Sequence, residues 1–191
     1  MQTPANDSRE QLANFLRRHQ ARFPDHATEF DPEWPSPCEL GQHFSDQDGQ
    51  QWTRWQPIEL PKPATVLDRL ENALEFPLHP DLKTHYGSYY AANLQANSAD
   101  GDLTLLYLWN QQDEDRLIEN LIGHAIACRN NKTPFAGFFA VAEPDSDVFL
   151  TINNDTGAIQ AERPGFKPFR TIADNLADFM QSLEPGWTGD S

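Results

Sequence analysis

Nucleophiles, bases and metal ligands act only when the chain brings them together, and here few are spaced to be together. The six histidines are His19, His26, His43, His79, His85 and His124. None forms a His-x-x-x-His or His-Glu-x-x-His pattern, the spacings that set two ligands on one helix face. Cys38 and Cys128 match no metal-ligand spacing and no disulfide framework. Cys38 is flanked by Glu33 and Glu39 with no base nearby, so nothing there lowers its pKa and it reads as a packed thiol. Asp100-Gly101-Asp102 is a fragment of a calcium loop without the closing Glu, and a turn accounts for it. There is no glycine-rich phosphate loop and no Gly-x-Ser-x-Gly elbow. His124 falls on the core-facing stripe of a helix, which predicts a hydrogen-bonded core or boundary histidine. A hydrolase using His124 with carboxylates is the weaker alternative. The sequence thus predicts no catalytic residue, no metal ligand and no cofactor.

The carboxylates are a stronger signal. The chain has 191 residues, with Asp and Glu at 29 against Lys and Arg at 14, a net charge of −15. That disfavours unaided nucleic-acid binding, which needs clustered Lys and Arg, and it disfavours direct insertion into an anionic lipid face. A cationic partner is favoured instead. Seven acids and no Lys or Arg lie between Pro24 and Thr53: Asp25, Glu29, Asp31, Glu33, Glu39, Asp46 and Asp48. Trp34, Trp52 and Trp55 share that stretch. Tryptophan beside carboxylates is either a loop pinned by core rings or an acidic surface with aromatic anchors for Lys and Arg. Asp113-Glu114-Asp115 is either a carboxylate cluster or simply an acidic helix start favoured by the helix dipole.

The elements that must position these residues follow from periodicity. A first helix is predicted over 7–23, with Leu12, Phe15, Leu16, His19 and Phe23 on one face, ended by Pro24. Six prolines predict an irregular segment over 25–63, with a turn at Asp46-Gln47-Asp48-Gly49 between two short strands. A second helix is predicted over 64–76, with Val66, Leu67, Leu70, Ala73 and Leu74 facing inward and a Thr65–Asp68 capping box. A short helix over 81–86 closes at Gly87. A hairpin joins 89–96 to 103–109, and the second run, nearly all apolar, reads as a central strand buried on both faces. The clearest helix spans 113–129, with Leu117, Leu121, His124, Ala125 and Cys128 on one stripe widened by Ile118, Ile122 and Ile126. Strands over 135–142, 147–152 and 158–162 and a final helix over 171–183 complete the chain.

Strands gathered in hairpins, rather than alternating with helices, predict an α+β fold: a mainly antiparallel mixed sheet flanked by helices, in one compact domain over 1–184 with a flexible tail over 185–191. The first residues show no basic-then-apolar leader, and the longest apolar run, Phe135 to Ala142, is far below the ~20 residues a membrane helix needs. A soluble cytoplasmic protein is the expectation.

Several segments in order carry a resemblance: Trp34-Pro35-Ser36-Pro37-Cys38, Trp55-Gln56-Pro57, Leu103-Thr104-Leu105-Leu106 with Trp109, Glu119-Asn120-Leu121-Ile122-Gly123-His124, and Asn175-Leu176-Ala177-Asp178-Phe179. Together they resemble Syd, the family of bacterial SecY-interacting proteins, over about residues 8–184. The resemblance implies a compact SUKH-superfamily fold and no enzyme activity. It also implies an electronegative concave surface that binds basic cytosolic loops of SecY, and so a loose association with the cytoplasmic side of the inner membrane. The implied role is regulator or scavenger of uncomplexed or abnormal translocase, acting as a monomer. Cytoplasmic loops of membrane proteins are rich in Lys and Arg, so the charge agrees in sign. The residues expected to form the surface are Glu33, Trp34, Asp100, Asp102, Asp113, Glu114 and Asp115. The alternative is a SUKH-type immunity protein neutralising a basic toxin such as a nuclease.

Overall fold

A computed structural model of the chain describes residues 5–60, 66–143 and 147–186. Helix α1 (Ala5–Arg22) buries Leu12, Phe15, Leu16 and His19 at helical spacing. The Phe23 amide closes on the His19 carbonyl at 2.9 Å before Pro24 blocks a further turn.

The segment expected to be irregular holds a small antiparallel sheet of β1 (Ala27–Glu29), β2 (Glu39–Ser45) and β3 (Gln51–Trp55), in the order β1-β3-β2. Pro32, Pro35 and Pro37 fall between β1 and β2, and Pro57 between β3 and the next strand, where their missing N–H costs no ladder bond; Pro61 and Pro63 lie outside the described residues. The β2–β3 turn lies where the sequence placed it. The Asp46 carboxylate accepts from the Asp48 and Gln50 amides at 3.0 and 2.9 Å, and Gly49 takes φ 84°. Strand β4 (Ile58–Glu59) then leads to α2 (Val66–Leu74) and α3 (Pro80–Ser88).

In α2, Leu67, Leu70 and Leu74 are buried, but Ala73, expected on that face, is exposed. The i, i+3, i+7 stripe leaves position 73 off its edge. The expected capping box rests on Thr65, which lies outside the described residues. Glu75 turns left-handed (φ 62°) just past α2. Helix α3 starts with Pro80 in its first turn, and His79 Nδ1 accepts from the Asp81 amide at 3.2 Å. Gly87, expected to end this helix, lies within it.

Strand β5 (Tyr89–Tyr90) pairs with β4. The main sheet comprises β6 (Leu94–Ser98), β7 (Gly101–Leu105), β8 (Ala136–Ala142), β9 (Phe149–Asn153), β10 (Ile159–Glu162), β11 (Arg170–Ala173) and β12 (Glu184–Pro185). Helix α4 (Gln112–Asn131) connects β7 to β8, and α5 (Leu176–Ser182) connects β11 to β12. The strand order is β11-β10-β9-β8-β7-β6-β12, with every neighbouring pair antiparallel. This is the α+β architecture the strand grouping predicts. Helix α1 packs on α3 and α5, and α4 packs on α2 and β8.

Three expectations change here. The β6–β7 turn is only Ala99-Asp100, because Asn97↔Asp102 and Ser98↔Gly101 are already in register. Strand β7 stops at Leu105 and alternates, with Leu103 and Leu105 buried and Thr104 half-buried, so it is not buried on both faces. Its apolar continuation, Leu106 to Trp109, leaves the ladder and lines a groove. Thr171, Ile172 and Ala173, read as helix, lie in β11, where Thr171 and Ala173 pair with β10, and α5 begins only after Asn175, whose side chain accepts from the Asp178 amide at 2.9 Å. Pro185 lies in β12 and the Gly186 amide bonds the Gln95 carbonyl at 3.0 Å, while residues 187–191 lie outside the described residues. Among the described residues no helix is long and apolar enough to cross a membrane.

Two contacts fix helices to the sheet. Gly137 of β8 faces the fully buried Leu82 of α3, and a Cβ at 137 would sit 2.3 Å from a Leu82 methyl. On α4, His124 and Cys128 share a face one turn apart. His124 Nε2 lies 3.2 Å from Glu162 of β10 and 3.6 Å from Cys128 Sγ. Thr151 donates to the other Glu162 oxygen at 3.2 Å, and Phe135 and Phe138 flank the imidazole. Ile126, expected to widen this stripe, is 51% exposed and belongs to the solvent side.

Burial alone would lower the His124 pKa. Its bonds to Cys128 and Glu162 outweigh that and raise it from 6.5 to about 10. Because the folded pKa is the higher one, the stability from this pair is fully present below pH 6.5 and is lost as pH rises through 10. Glu162→Gln should therefore cost about 3 kcal/mol at mildly acidic pH, with the gap from wild type closing as pH climbs. Urea unfolding across that pH window reads both quantities, and a pH-independent gap would refute the charged pair. Gly137→Ala should cost about 1–3 kcal/mol by the same assay, through overpacking against Leu82.

Candidate functional site: an acidic groove

A groove of about 870 Å³ opens between the small sheet and the main body. Three pieces of chain build it. One wall is β1 with the loop after it, contributing Glu29, Asp31 and Trp34. The floor is the irregular run after β7, with Tyr107 and Trp109, backed by Phe138. The other wall is the first half of α4, with Asp113, Arg116 and Asn120.

The joint between the walls is a network of local polar contacts. Helix α4 gets no side-chain cap from Gln111, its N-cap residue. Asn110, one residue earlier and buried, serves instead: its Oδ1 accepts from the Gln112 and Asp113 amides at 2.9 and 3.1 Å. Its Nδ2 donates to the Pro35 carbonyl at 2.8 Å, and Ser36 Oγ donates to the Trp109 carbonyl. Asp113 then uses both oxygens. Oδ2 accepts from the Trp109 amide at 2.8 Å, and Oδ1 accepts from the Trp34 indole N–H at 3.1 Å. The indole plane is thereby fixed at the groove wall. Over it lies Arg116, with Cζ 3.9 Å from the ring centre.

Three of the lining residues are acids and one, Arg116, is a base. Among the described residues none of Glu29, Asp31 and Asp113 is in an ion pair, although the surface elsewhere carries several, including Arg9–Glu59 and Arg54–Asp25. Glu29 accepts from Gln50 at 2.7 Å, and Asp31 accepts from the Glu33 amide at 2.8 Å. The groove is a concave, aromatic-floored surface with uncompensated carboxylates, which favours cations.

Of the seven residues expected to form such a surface, Trp34 and Asp113 line the groove and touch each other. Glu33 is exposed and lies between the lining residues Asp31 and Trp34. Glu114 accepts from the Tyr90 hydroxyl at 2.9 Å. Burial raises its pKa against the opposing pull of that bond. Asp115 is ion-paired with Arg69 at 2.9 Å. Asp100 and Asp102 sit at the β6–β7 turn and do not line the groove: Asp100 pairs with Arg170, and Asp102 accepts from Asn97 at 2.7 Å. The sequence reading missed Arg116, Asn110 and the floor residue Tyr107. It included Glu29 and Asp31 in its acidic run but not among the seven.

The other tryptophans divide as the two readings of the acidic stretch allow. Trp55 is a core ring, edge-on to Trp109 at 5.9 Å. Trp52 braces the β2–β3 turn through Asp46 at 2.8 Å. Cys38 is fully buried, and burial raises its pKa. Among the described residues no three metal-ligating side chains are placed to hold an ion. His124 meets the Glu162 carboxylate, is packed between Phe135 and Phe138, and is not among the residues lining this groove.

Comparison with known proteins gives one consistent relationship. The family model described as Syd protein (SUKH-2) matches residues 9–185. A Colwellia psychrerythraea protein named Protein Syd is 33% identical over 174 residues, covering 89% of this chain and 86% of the relative. A Protein Syd from Pseudoalteromonas atlantica is 34% identical over 183 residues, covering 93% and 95%. One from Shewanella loihica is 38% identical over 152 residues, covering 78% and 68%. With the match running nearly end to end, this chain belongs to the Syd family.

Proposed function

We propose that the chain is a non-enzymatic protein that docks its acidic groove on the basic cytoplasmic loops of SecY, and through that contact regulates or scavenges uncomplexed or abnormal translocase. The observation that carries the reading is the groove's set of carboxylates without basic partners, Glu29, Asp31 and Asp113, around an aromatic floor. Membership of the Syd family supports the choice of partner. Loops on the cytoplasmic side of membrane proteins carry the Lys and Arg such a groove attracts. Membrane association would then be borrowed from SecY, with the protein acting as a monomer on the cytoplasmic side. The net charge of −15 steers encounter with cationic loops more than it sets final affinity.

Retention on SecY-containing membranes should fall between about 50 and 500 mM salt, as the screening length shrinks about threefold. Salt-insensitive retention would rule out charge-led docking. Reversing Glu29 and Asp31 to Lys should weaken binding about tenfold or more, because both are exposed groove acids with no structural ion pair to lose. Reversing Asp113, Glu114 and Asp115 should also weaken it, but Asp113 holds Trp34 and the start of α4, so the Glu29 and Asp31 variant isolates charge from structure. If crosslinking from cells instead captures a basic nuclease and no SecY, the immunity-protein reading takes precedence.

A further inference from the structure

The groove contains its own cation. Arg116 stacks on Trp34 at 3.9 Å, and among the described residues its guanidinium enters no ion pair, although Asp113 holds the same indole. It is exposed. Arg9, Arg18, Arg54, Arg69 and Arg170 by contrast all meet carboxylates, while Arg22 and Arg163 lie over phenylalanine rings outside the groove. Arg116 thus occupies a lining surface suited to a flat cation: an indole face fixed edge-on by Asp113, with Glu29 and Asp31 on the same wall. An exposed guanidinium is only weakly attracted to an indole face, so it is readily displaced.

Resting on the docking reading above, we infer that Arg116 is a resident stand-in for an arginine of the partner, which displaces it and stacks on Trp34, so that the groove selects arginine-bearing over lysine-bearing segments. Guanidinium is planar and weakly hydrated, so it stacks on indole at less desolvation cost than an ammonium, and its fork can also meet a carboxylate. The displaced Arg116 swings into solvent without breaking an ion pair. Because it must leave first, it lowers affinity and guards the groove against weak cationic contacts, a repulsive element that serves specificity.

The test uses the full chain and two probes, a short Gly/Ser peptide bearing several arginines and its lysine twin, with affinities measured by calorimetry. Wild type should bind the arginine peptide about threefold or more tighter than the lysine twin. Arg116→Gln should tighten the arginine peptide about three- to tenfold, with a smaller gain for the lysine twin. In a Trp34→Leu background both the arginine preference and the extra gain should vanish. Equal gains for both peptides would mean that only a charge was removed, and would overturn the stand-in. Unchanged or weaker arginine-peptide binding in Arg116→Gln would overturn it too, while leaving the docking reading intact. If neither peptide binds wild type or Arg116→Gln at low salt, the groove itself is not a cation-binding surface and both readings fall.

Discussion

The groove exists because one carboxylate is shared by two tryptophans. Asp113 accepts from the Trp109 backbone and from the Trp34 side chain, so it ties the floor of the groove to one wall from its position on the other wall. It sits at the positive end of α4, where the dipole and the first free amides favour a negative charge. Asn110 completes the joint by capping α4 and holding Pro35. These bonds, with Ser36 Oγ on the Trp109 carbonyl, set the distance between the small sheet's wall and α4. The acidic start of α4 is therefore neither a bare dipole effect nor a free docking patch. Asp113 is structural, Glu114 is engaged by Tyr90, Asp115 is ion-paired, and the unpaired charge that remains lies across the groove on Glu29 and Asp31.

This division of labour explains how a chain of charge −15 can present a directed field. Many of its basic residues are placed on the outside in exposed pairs, which contribute little to stability but cancel charge locally. The groove acids are left uncancelled. A concave site with apolar walls concentrates their field lines more than the same charges would on a convex face. The floor rings also limit how much water can solvate a cation there, which makes stacking and charge act on the same guest.

Much of the fold was legible in the sequence because it rests on local signals. Helical periodicity placed α1, α2 and α4, and the turn chemistry at Asp46–Gly49 placed the β2–β3 hairpin. The failures share a cause. The β2–β3 hairpin was read from its turn, but β1 and its pairing with β3 were hidden, because the prolines between β1 and β2 read as breakers. Thr171 to Ala173 fitted a helical stripe but were claimed by β11, whose Thr171 and Ala173 pair with β10, a tertiary contact that overrides local pattern. The site was half legible. Trp34 and Asp113 were visible as an aromatic and an acid in suspicious company, but their contact spans 79 positions. Asp100 looked equivalent to Asp113 in the sequence, yet it meets Arg170 at the far edge of the sheet order, which no spacing rule encodes.

Arg116 was invisible for a different reason. It follows three acids on a helix, and the sequence offers Asp113 or Asp115 as its natural partner. The spacing is wrong for Asp115, one residue away, because neighbours on a helix face lie three or four residues apart; Asp113 has the right i−3 spacing, but its two oxygens are already engaged by Trp34 and Trp109. Deprived of a carboxylate, the guanidinium takes the remaining favourable surface, the indole face that Asp113 itself positions. A single acid thus both creates the stacking platform and withholds itself from the arginine that occupies it. That leaves a cation weakly held in a groove lined by three acids. On the docking reading, a partner arriving under long-range attraction would meet a contact that is fast to form and easily reversed.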